Sequence, residues 1–298
     1  MSKKRHRGYI IYIVFFRLFF LILQLKRPAV SAAWFFTNIS ILMKLPNIVI
    51  LTFDVDGQGV FDFFDKSERD VFLEEGLIRA VDFLKSNKLD ATFFTVGKNI
   101  IDFPDVHDKL KNYDIGNHTY SHPYFLTKKT LSEKEFEIKK AHSTIMDFYG
   151  ITPEMFRAPD YQIDADIIKI LKNMGYKGDS SIIKVLMPPR YSLNYLKQRE
   201  ILKDNFEVPL TSFIIPFNGT SAIFYGFGLT RLIFEYLLKV NKVIIINFHD
   251  RDFVNIKINR AGFWSREKSL ETTLKFLNYI NKRCNILSFR QFFDKFHA

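Results

Sequence analysis

Cysteine is almost absent from this 298-residue sequence, and its scarcity limits the kinds of site that the chain can build. The single cysteine, Cys284, excludes an internal disulfide and any metal site made only of cysteines. The sequence also has no internal repeat and no low-complexity linker. Because 47% of the residues are hydrophobic and 16% are aromatic, the chain can bury a sizeable core, enough for one large or two small domains.

Acidic residues are missing from residues 1–42, which carry seven of the 43 lysines and arginines. The formal net charge of +11 therefore belongs largely to this segment, because the remainder has 36 basic and 32 acidic residues. A nearly balanced domain lacks the strongly basic surface that binds nucleic acids, so no nucleic-acid partner is expected.

Residues 9–25 are almost entirely apolar, are interrupted by Arg17 and are flanked by basic clusters. One hypothesis is a membrane or signal anchor, in which the apolar residues offset the roughly 2.5–3.5 kcal/mol cost of a central arginine. A secretory signal is the second hypothesis, although Lys26-Arg27-Pro28 disfavours cleavage at the small residues that follow. In the third, translation starts at Met43 and residues 1–42 are not native. An anchor predicts membrane association or a cell-surface location, and a start at Met43 predicts a cytoplasmic one.

From Asn47 onward, apolar strands alternate with amphipathic helices, an order that is typical of a parallel α/β fold. Residues 43–298 are predicted to form one domain. Ser132 and Glu135 have the spacing of a capping box that opens a long helix, with Gly150 as its C-cap. Prolines and glycines interrupt residues 182–230, which are predicted to form an irregular insertion or lid beside the site.

The stretch from Ile48 to Gly57 is an apolar strand that ends in two carboxylates and a glycine. Asp54 and Asp56 are two residues apart, so their side chains point to the same face of the strand. Two like charges at the end of a buried strand are costly unless a cation or a proton separates them. Taken alone, the stretch is equally compatible with two solvated acids in a loop.

His118 and His122 are four residues apart, a spacing that places both rings on one face if the segment forms a helical turn. Like the two aspartates, they follow a strand, and the C-terminal ends of parallel strands gather on one face of the fold. Two imidazoles and one carboxylate leave open positions on a metal ion, as in hydrolytic zinc-type sites. A chance pair of loop histidines is the alternative.

Three further polar residues stand at predicted strand ends. Arg157 can pair with a carboxylate and keep it ionised, or it is a surface arginine. Asp179 is either a site residue or a turn cap. His249 follows the apolar strand at residues 243–248 and suits proton transfer near neutral pH, unless it is a satisfied core residue.

With these residues, the chain resembles the polysaccharide deacetylase family, the carbohydrate esterases built on a NodB homology domain. The resemblance runs from about Met43 to the C-terminus, with residues 182–240 poorly matched. Five segments follow the family's order: Thr52-Phe53-Asp54-Val55-Asp56-Gly57, His118-Thr119-x-x-His122, Phe156-Arg157-x-Pro159, Asp179-Ser180-Ser181 and Phe248-His249. Because Val55 separates the two aspartates, the first segment resembles a variant subgroup that includes some peptidoglycan deacetylases and allantoinase-like enzymes.

The resemblance implies a deformed (β/α) barrel of the NodB type with fewer than eight regular units. It also implies a hydrolase that removes N-acetyl groups from the amino sugars of a polysaccharide or another glycan. The cofactor would be one divalent metal ion, with zinc expected and cobalt or another transition metal as alternatives.

The same resemblance assigns roles to the residues. Asp56, His118 and His122 would hold the metal ion. Asp54 would be the base that activates the attacking water, and His249 would protonate the departing amine. Arg157 would steady Asp54, Asp179 would orient His249, and the backbone N–H of Asp160 or Tyr161 would serve the oxyanion.

Two other functions fit the sequence less fully. One is hydrolysis of a cyclic or small-molecule amide, as in allantoinase-like relatives. The other is non-catalytic carbohydrate binding, against which the full set of acid, base and metal residues argues.

Overall fold

The computed structural model describes residues 47–60, 70–183, 201, 206–213, 216–255 and 268–296. All of them belong to one compact unit, Asn38–Ala298. The hypotheses about residues 9–25 and about a start at Met43 concern residues outside this description. No helix within the described ranges combines the length and the apolar character that crossing a membrane requires.

Seven strands form one sheet, and every strand pair in it is parallel. The strands are β1 (Ile48–Val55), β2 (Thr92–Thr95), β3 (Asp114–Asn117), β4 (Met155–Phe156), β5 (Gly178–Asp179), β6 (Val243–His249) and β7 (Asn285–Leu287). Their order is β5-β4-β3-β2-β1-β6, and β7 pairs with the beginning of β1. Since β6 occupies one edge of β1 along most of its length, β7 and β2 share the other edge. All C-terminal strand ends therefore face the same side.

Eight α-helices lie in the described part of the chain. They are α1 (Ile78–Asn87), α2 (Gly97–Asp102), α3 (Pro104–Asp108), α4 (Leu131–Tyr149), α5 (Ala165–Asn173), α6 (Gly219–Val240), α7 (Ser269–Asn281) and α8 (Phe289–Phe296), with a π-helical segment, Phe72–Leu77, before α1. The capping box of α4 uses Thr130 and Glu133, two residues earlier than predicted, and Gly150 ends this helix with φ of 68° as expected.

The irregular region ends earlier than the sequence predicted. Residues 219–230, assigned to an insertion because of Gly226 and Gly228, belong to helix α6. Gly226 does interrupt the helix, with φ of 71° and ψ of 160°, but the helix resumes beyond it. Asn218 caps the first turn by accepting from the backbone N–H of Ser221, and Ala222 and Thr230 are buried, so this part of the helix is anchored as well.

An aromatic cluster fills the core behind the C-terminal end of β1. Phe53 stacks on Phe93 at 4.9 Å between ring centroids and also contacts Phe248 and Phe253. All four rings are at most 1% exposed, and full burial of one such side chain contributes about 1.5–3 kcal/mol. Phe53 points into this core and its neighbours on β1, Thr52 and Asp54, point the other way, so the same packing fixes the direction of the acidic side chains.

Candidate active site

The polar residues predicted at strand ends meet at the C-terminal side of the sheet. Asp54 lies near the end of β1, His118 directly follows β3, Arg157 directly follows β4 and His249 ends β6. The register of β1 and β6 sets Asp54 opposite His249 and Thr52 opposite Asn247. Residues that are nearly 200 positions apart in the sequence are therefore brought side by side.

Asp56, His118 and His122 form a group whose ligand atoms all lie within 4.8 Å of one another. Oδ1 of Asp56 is 3.4 Å from Nε2 of His118 and 3.6 Å from Nε2 of His122. This oxygen is buried and has no hydrogen-bond partner in the described structure, although buried polar atoms are almost always paired. A carboxylate oxygen that faces two imidazole nitrogens fits a divalent transition-metal ion.

The neighbours of the two histidines leave their Nε2 atoms available as ligands. Nδ1 of His118 is 2.6 Å from the carbonyl oxygen of Arg157, which can only accept, so Nδ1 carries the proton. Burial lowers the pKa of His122 to about 4, so this ring is neutral at neutral pH. Burial opposes a charge on His118 as well, but Asp54 and Asp56 outweigh it and raise its pKa.

The segment that carries both histidines is a loop, which corrects the helical turn expected from their spacing. Thr119 and His122 have positive φ values of 67° and 53°. The ring centroids are nevertheless only 5.0 Å apart. Glu137 of α4 holds the loop, because its Oε2 accepts from the backbone N–H groups of Tyr120 (3.0 Å) and Ser121 (2.8 Å), and its Oε1 accepts from the Ser121 hydroxyl (2.6 Å).

Replacing Glu137 with Gln is expected to weaken metal binding. A glutamine is uncharged and has one acceptor oxygen, so the side chain would lose one of the two acceptor atoms and the charge that hold the loop of both imidazoles. Changes in such outer-shell partners typically reduce metal affinity about 10–100-fold. Competitive chelator titration of the full chain with zinc measures this loss.

Glu135 provides the matched control on the same helix. Its carboxylate is exposed and pairs with Lys139 at 2.7 Å, an exposed i,i+4 pair. Glu135→Gln should leave the zinc affinity unchanged. Equal affinities in the two variants would show that Glu137 does not position the ligands.

Arg157 is completely buried and binds the carboxylate of Asp54. Its Nη1 donates to Oδ1 of Asp54 at 2.7 Å, and its Nε donates to the carbonyl of Ser180 at 2.9 Å. The guanidinium also lies 4.1 Å over the ring of Phe94. Burial would raise the pKa of Asp54, but Arg157, together with His118 and His249, outweighs it and lowers the pKa, so the carboxylate stays ionised.

A second guanidinium, which the sequence analysis did not identify, binds the other aspartate. Nη1 of Arg251 is 2.5 Å from Oδ2 of Asp56, so Oδ1 is the oxygen that faces the histidines. Burial would raise the pKa of Asp56, but His118, His122 and Arg251 lower it well below the usual range. The sequence showed Arg251 only as a polar neighbour of His249, because nothing in the local pattern indicates a contact with a residue 195 positions away.

His249 lies beside Asp54 and not beside Asp179. Among the described residues, the carboxylate atoms within 4 Å of its ring are Oδ2 of Asp54 and Oδ2 of Asp252, each at 3.6 Å. Oδ2 of Asp252 also accepts from the backbone N–H of His249 at 3.0 Å. The orienting role assigned to Asp179 is corrected on this geometry, because the carboxylate positioned for it belongs to Asp252.

Asp179 instead belongs to a buried acidic pair at the end of β5. Its carboxylate accepts from the hydroxyl of Ser181 at 2.6 Å, and that hydroxyl accepts from the backbone N–H of Ala158 at 2.7 Å. Burial and the charge of the neighbouring Asp179 carboxylate raise the pKa of Glu207 well above its ordinary value. The pair therefore supports the turn after Arg157.

That turn contains Asp160 and Tyr161, the two candidates for an oxyanion contact. Both have left-handed backbone conformations, with φ of 54° and 56°. The backbone N–H of Tyr161 donates to the carbonyl of Ala158 at 3.2 Å, so it is not directed at a substrate in this conformation. The contact assigned to the N–H of Asp160 stays a prediction.

The comparisons with known proteins agree with this geometry. Residues 44–178 match the family model described as polysaccharide deacetylase. Chitin deacetylase 1 of Cryptococcus neoformans is 33% identical over 97 residues, which are 32% of this chain and 20% of that protein. The peptidoglycan-N-acetylglucosamine deacetylase of Bacillus cereus is 36% identical over 83 residues, 27% of this chain and 30% of that protein. The matches thus span less than a third of these relatives' own length.

A crystal structure of a Mycobacterium smegmatis protein, described as a polysaccharide deacetylase, shares the fold. The TM-score is 0.63 at 15% identity, and the match covers 91% of this chain and 95% of that one. The predicted deformed (β/α) barrel with fewer than eight regular units is confirmed. The assignment to the subgroup with separated aspartates stays a prediction.

Proposed function

We propose that this chain, whose residues 44–178 match the polysaccharide deacetylase family model, hydrolyses N-acetyl groups on the amino sugars of a glycan. The observation that carries this proposal is the buried Oδ1 of Asp56, which has no hydrogen-bond partner among the described residues and faces two imidazole nitrogens. Beside it lie Asp54, which Arg157 keeps ionised, and His249.

The proposed reaction depends on one divalent ion, with zinc as the first candidate. Asp56, His118 and His122 would hold it, three protein ligands being typical of catalytic zinc sites with an open position. When bound, such an ion supplies Lewis-acid chemistry to the water and to the amide carbonyl. Two imidazoles and one carboxylate favour zinc over magnesium or calcium, which prefer oxygen ligands.

Asp54 is the proposed base. Its Oδ1 is held by Arg157, and its Oδ2 accepts from Nδ2 of Asn247 at 2.7 Å, so the carboxylate has a fixed orientation and a lowered pKa. It would take a proton from the attacking water as the water oxygen bonds to the acetyl carbon.

His249 is the proposed acid. It would give a proton to the sugar nitrogen as the C–N bond breaks, so that acetate and a free amine leave. Nε2 of His249 lies 3.6 Å from Oδ2 of Asp54, a separation that supports their action as acid and base in one reaction. A base and an acid that are fixed at this separation can act on the two ends of one hydrolysis.

The charges of the site support the proposal as well. Each aspartate is paired with its own guanidinium, Asp54 with Arg157 and Asp56 with Arg251, so each pair is neutral. A divalent ion held among these pairs would therefore keep most of its positive charge. Preorganised positive charge of this kind stabilises the negative charge that develops on the carbonyl oxygen during amide hydrolysis.

The test is acetate release by the full chain. The protein is stripped with a chelator, reloaded with zinc or cobalt, and offered chitin oligomers, N-acetylated peptidoglycan fragments and a cyclic ureide. We expect metal-dependent release of acetate, with one new amine per acetate, from at least one of the two glycans. Hydrolysis of the ureide with both glycans untouched, or glycan binding without turnover at full metal loading, would contradict the proposal.

A further inference from the structure

Tyr161 brings a phenol hydroxyl into the site, where the family resemblance pointed only to its backbone. The hydroxyl oxygen accepts a hydrogen bond from Nδ2 of Asn247 at 3.0 Å and lies 3.5 Å from Nε2 of His249. The left-handed backbone at Asp160 and Tyr161 turns the ring inward, a conformation that costs about 1–3 kcal/mol at each residue.

The same asparagine also contacts the proposed base. Nδ2 of Asn247 donates one hydrogen bond to Oδ2 of Asp54 and the other to the phenol oxygen of Tyr161. Its side-chain oxygen accepts from Nη1 of Arg157 at 2.7 Å, which fixes the amide orientation. The phenol oxygen is therefore held from one side by a group that cannot rotate.

His249 is the remaining partner for the phenol. Asn247 donates to one lone pair of the phenol oxygen, so the hydroxyl hydrogen and the second lone pair stay available. The hydroxyl can therefore donate to an unprotonated Nε2 of His249 or accept from a protonated one. The distance of 3.5 Å is at the outer limit for a hydrogen bond, and catalytic contacts of this length commonly shorten when substrate binds. Burial raises the pKa of Tyr161, so the phenol stays protonated and does not compete with Asp54 as a base.

We propose that Tyr161 is a positioning residue for His249. Its hydroxyl contacts Nε2 of His249, the proposed acid, and accepts from Asn247, which also donates to Asp54, the proposed base. Asp252 lies on the Nδ1 side of the ring at 3.6 Å, so the imidazole is bounded at both nitrogens. The fixed chain Asp54–Asn247–Tyr161–His249 keeps the acid at one distance from the base. This inference rests on the proposed function, because it assigns a residue to that reaction.

The test uses Tyr161→Phe in the full chain, loaded with zinc and compared with the wild type on the glycan that the wild type deacetylates. Loss of one hydrogen bond to the acid should lower kcat about tenfold, whereas KM and zinc affinity stay unchanged. In ¹⁵N-histidine-labelled protein, the Nε2 resonance of His249, identified by its absence in His249→Gln, should shift. Thermal unfolding checks that the variant folds.

Tyr236→Phe is the matched control, since this tyrosine is 40% exposed on α6 and packs against Phe213. It should change neither kcat nor the His249 resonance. A double variant with Asn247→Ala should lose no more activity than Asn247→Ala alone, because both residues act in one chain.

Two results would overturn the inference: an unchanged kcat in Tyr161→Phe, or an unshifted His249 resonance alongside a lowered kcat. Failure of the wild type on every N-acetylated glycan would contradict the proposed function instead. The resonance shift does not require turnover, so it separates the two failures.

Discussion

The substitution Asp54→Asn is expected to abolish turnover and to leave metal binding intact. Asp54 contacts Arg157 and Asn247 and lies outside the cluster of Asp56, His118 and His122, so Asp54→Asn removes the proposed base without removing a proposed ligand. Loss of a general base typically costs about 10²–10⁴-fold in rate. The measurement is kcat for acetate release, together with zinc stoichiometry and affinity.

His118→Ala provides the opposite pattern and makes the assignment specific. It removes one of three protein ligands, so zinc affinity should fall by more than the roughly 10–100-fold that outer-shell changes cause. Asp54→Asn should retain zinc at full occupancy under the same conditions. If both variants kept zinc equally well, the division into base and ligands would be wrong.

Arg157→Met is expected to destabilise the protein by about 3–5 kcal/mol, the usual cost of breaking a buried ion pair by removing one partner. Arg157 is 0% exposed, and its departure leaves the buried carboxylate of Asp54 without its cation. It also removes donors to Ser180 and Asn247. Urea-induced unfolding of the full chain measures the change in the free energy of unfolding.

A double variant shows whether the cost comes from the stranded charge. Asp54→Asn combined with Arg157→Met removes both charges, so the double variant should be more stable than Arg157→Met alone. Arg283→Met serves as the control, because this arginine is 48% exposed in its pair with Glu235 and such surface pairs contribute about 0–1 kcal/mol. A loss from Arg157→Met no larger than that from Arg283→Met would refute the role of a buried pair.

These variants separate two kinds of residue that share one small space. Three side chains present ligand atoms, and the two guanidiniums of Arg157 and Arg251 each neutralise one aspartate. Removing a ligand therefore acts on metal affinity, whereas removing a guanidinium acts first on stability and on the ionisation of its aspartate.

The sequence by itself determined where polar residues leave the sheet. Asp54 and Asp56 share a face because side chains alternate along a strand, and His118, Arg157 and His249 follow their strands directly. Because parallel strands have all their C-terminal ends on one side, these residues were expected to meet, and they do. This rule brings Asp56 and His118 to one side of the sheet, whereas the choice of Asp56, His118 and His122 as the metal-binding group came from the family resemblance.

The tertiary structure decided which partner each of these residues has. The pairing of β1 with β6 sets Asp54 opposite His249 and brings Asn247 against Arg157, and strand register cannot be derived from either strand alone. The packing of distant segments also brings Arg251 against Asp56 and the Tyr161 phenol into the site. Asp252, by contrast, reaches His249 within one local turn, three residues along the chain. Local pattern fixes the direction of a side chain, whereas the atom that it contacts depends on the packing of distant segments.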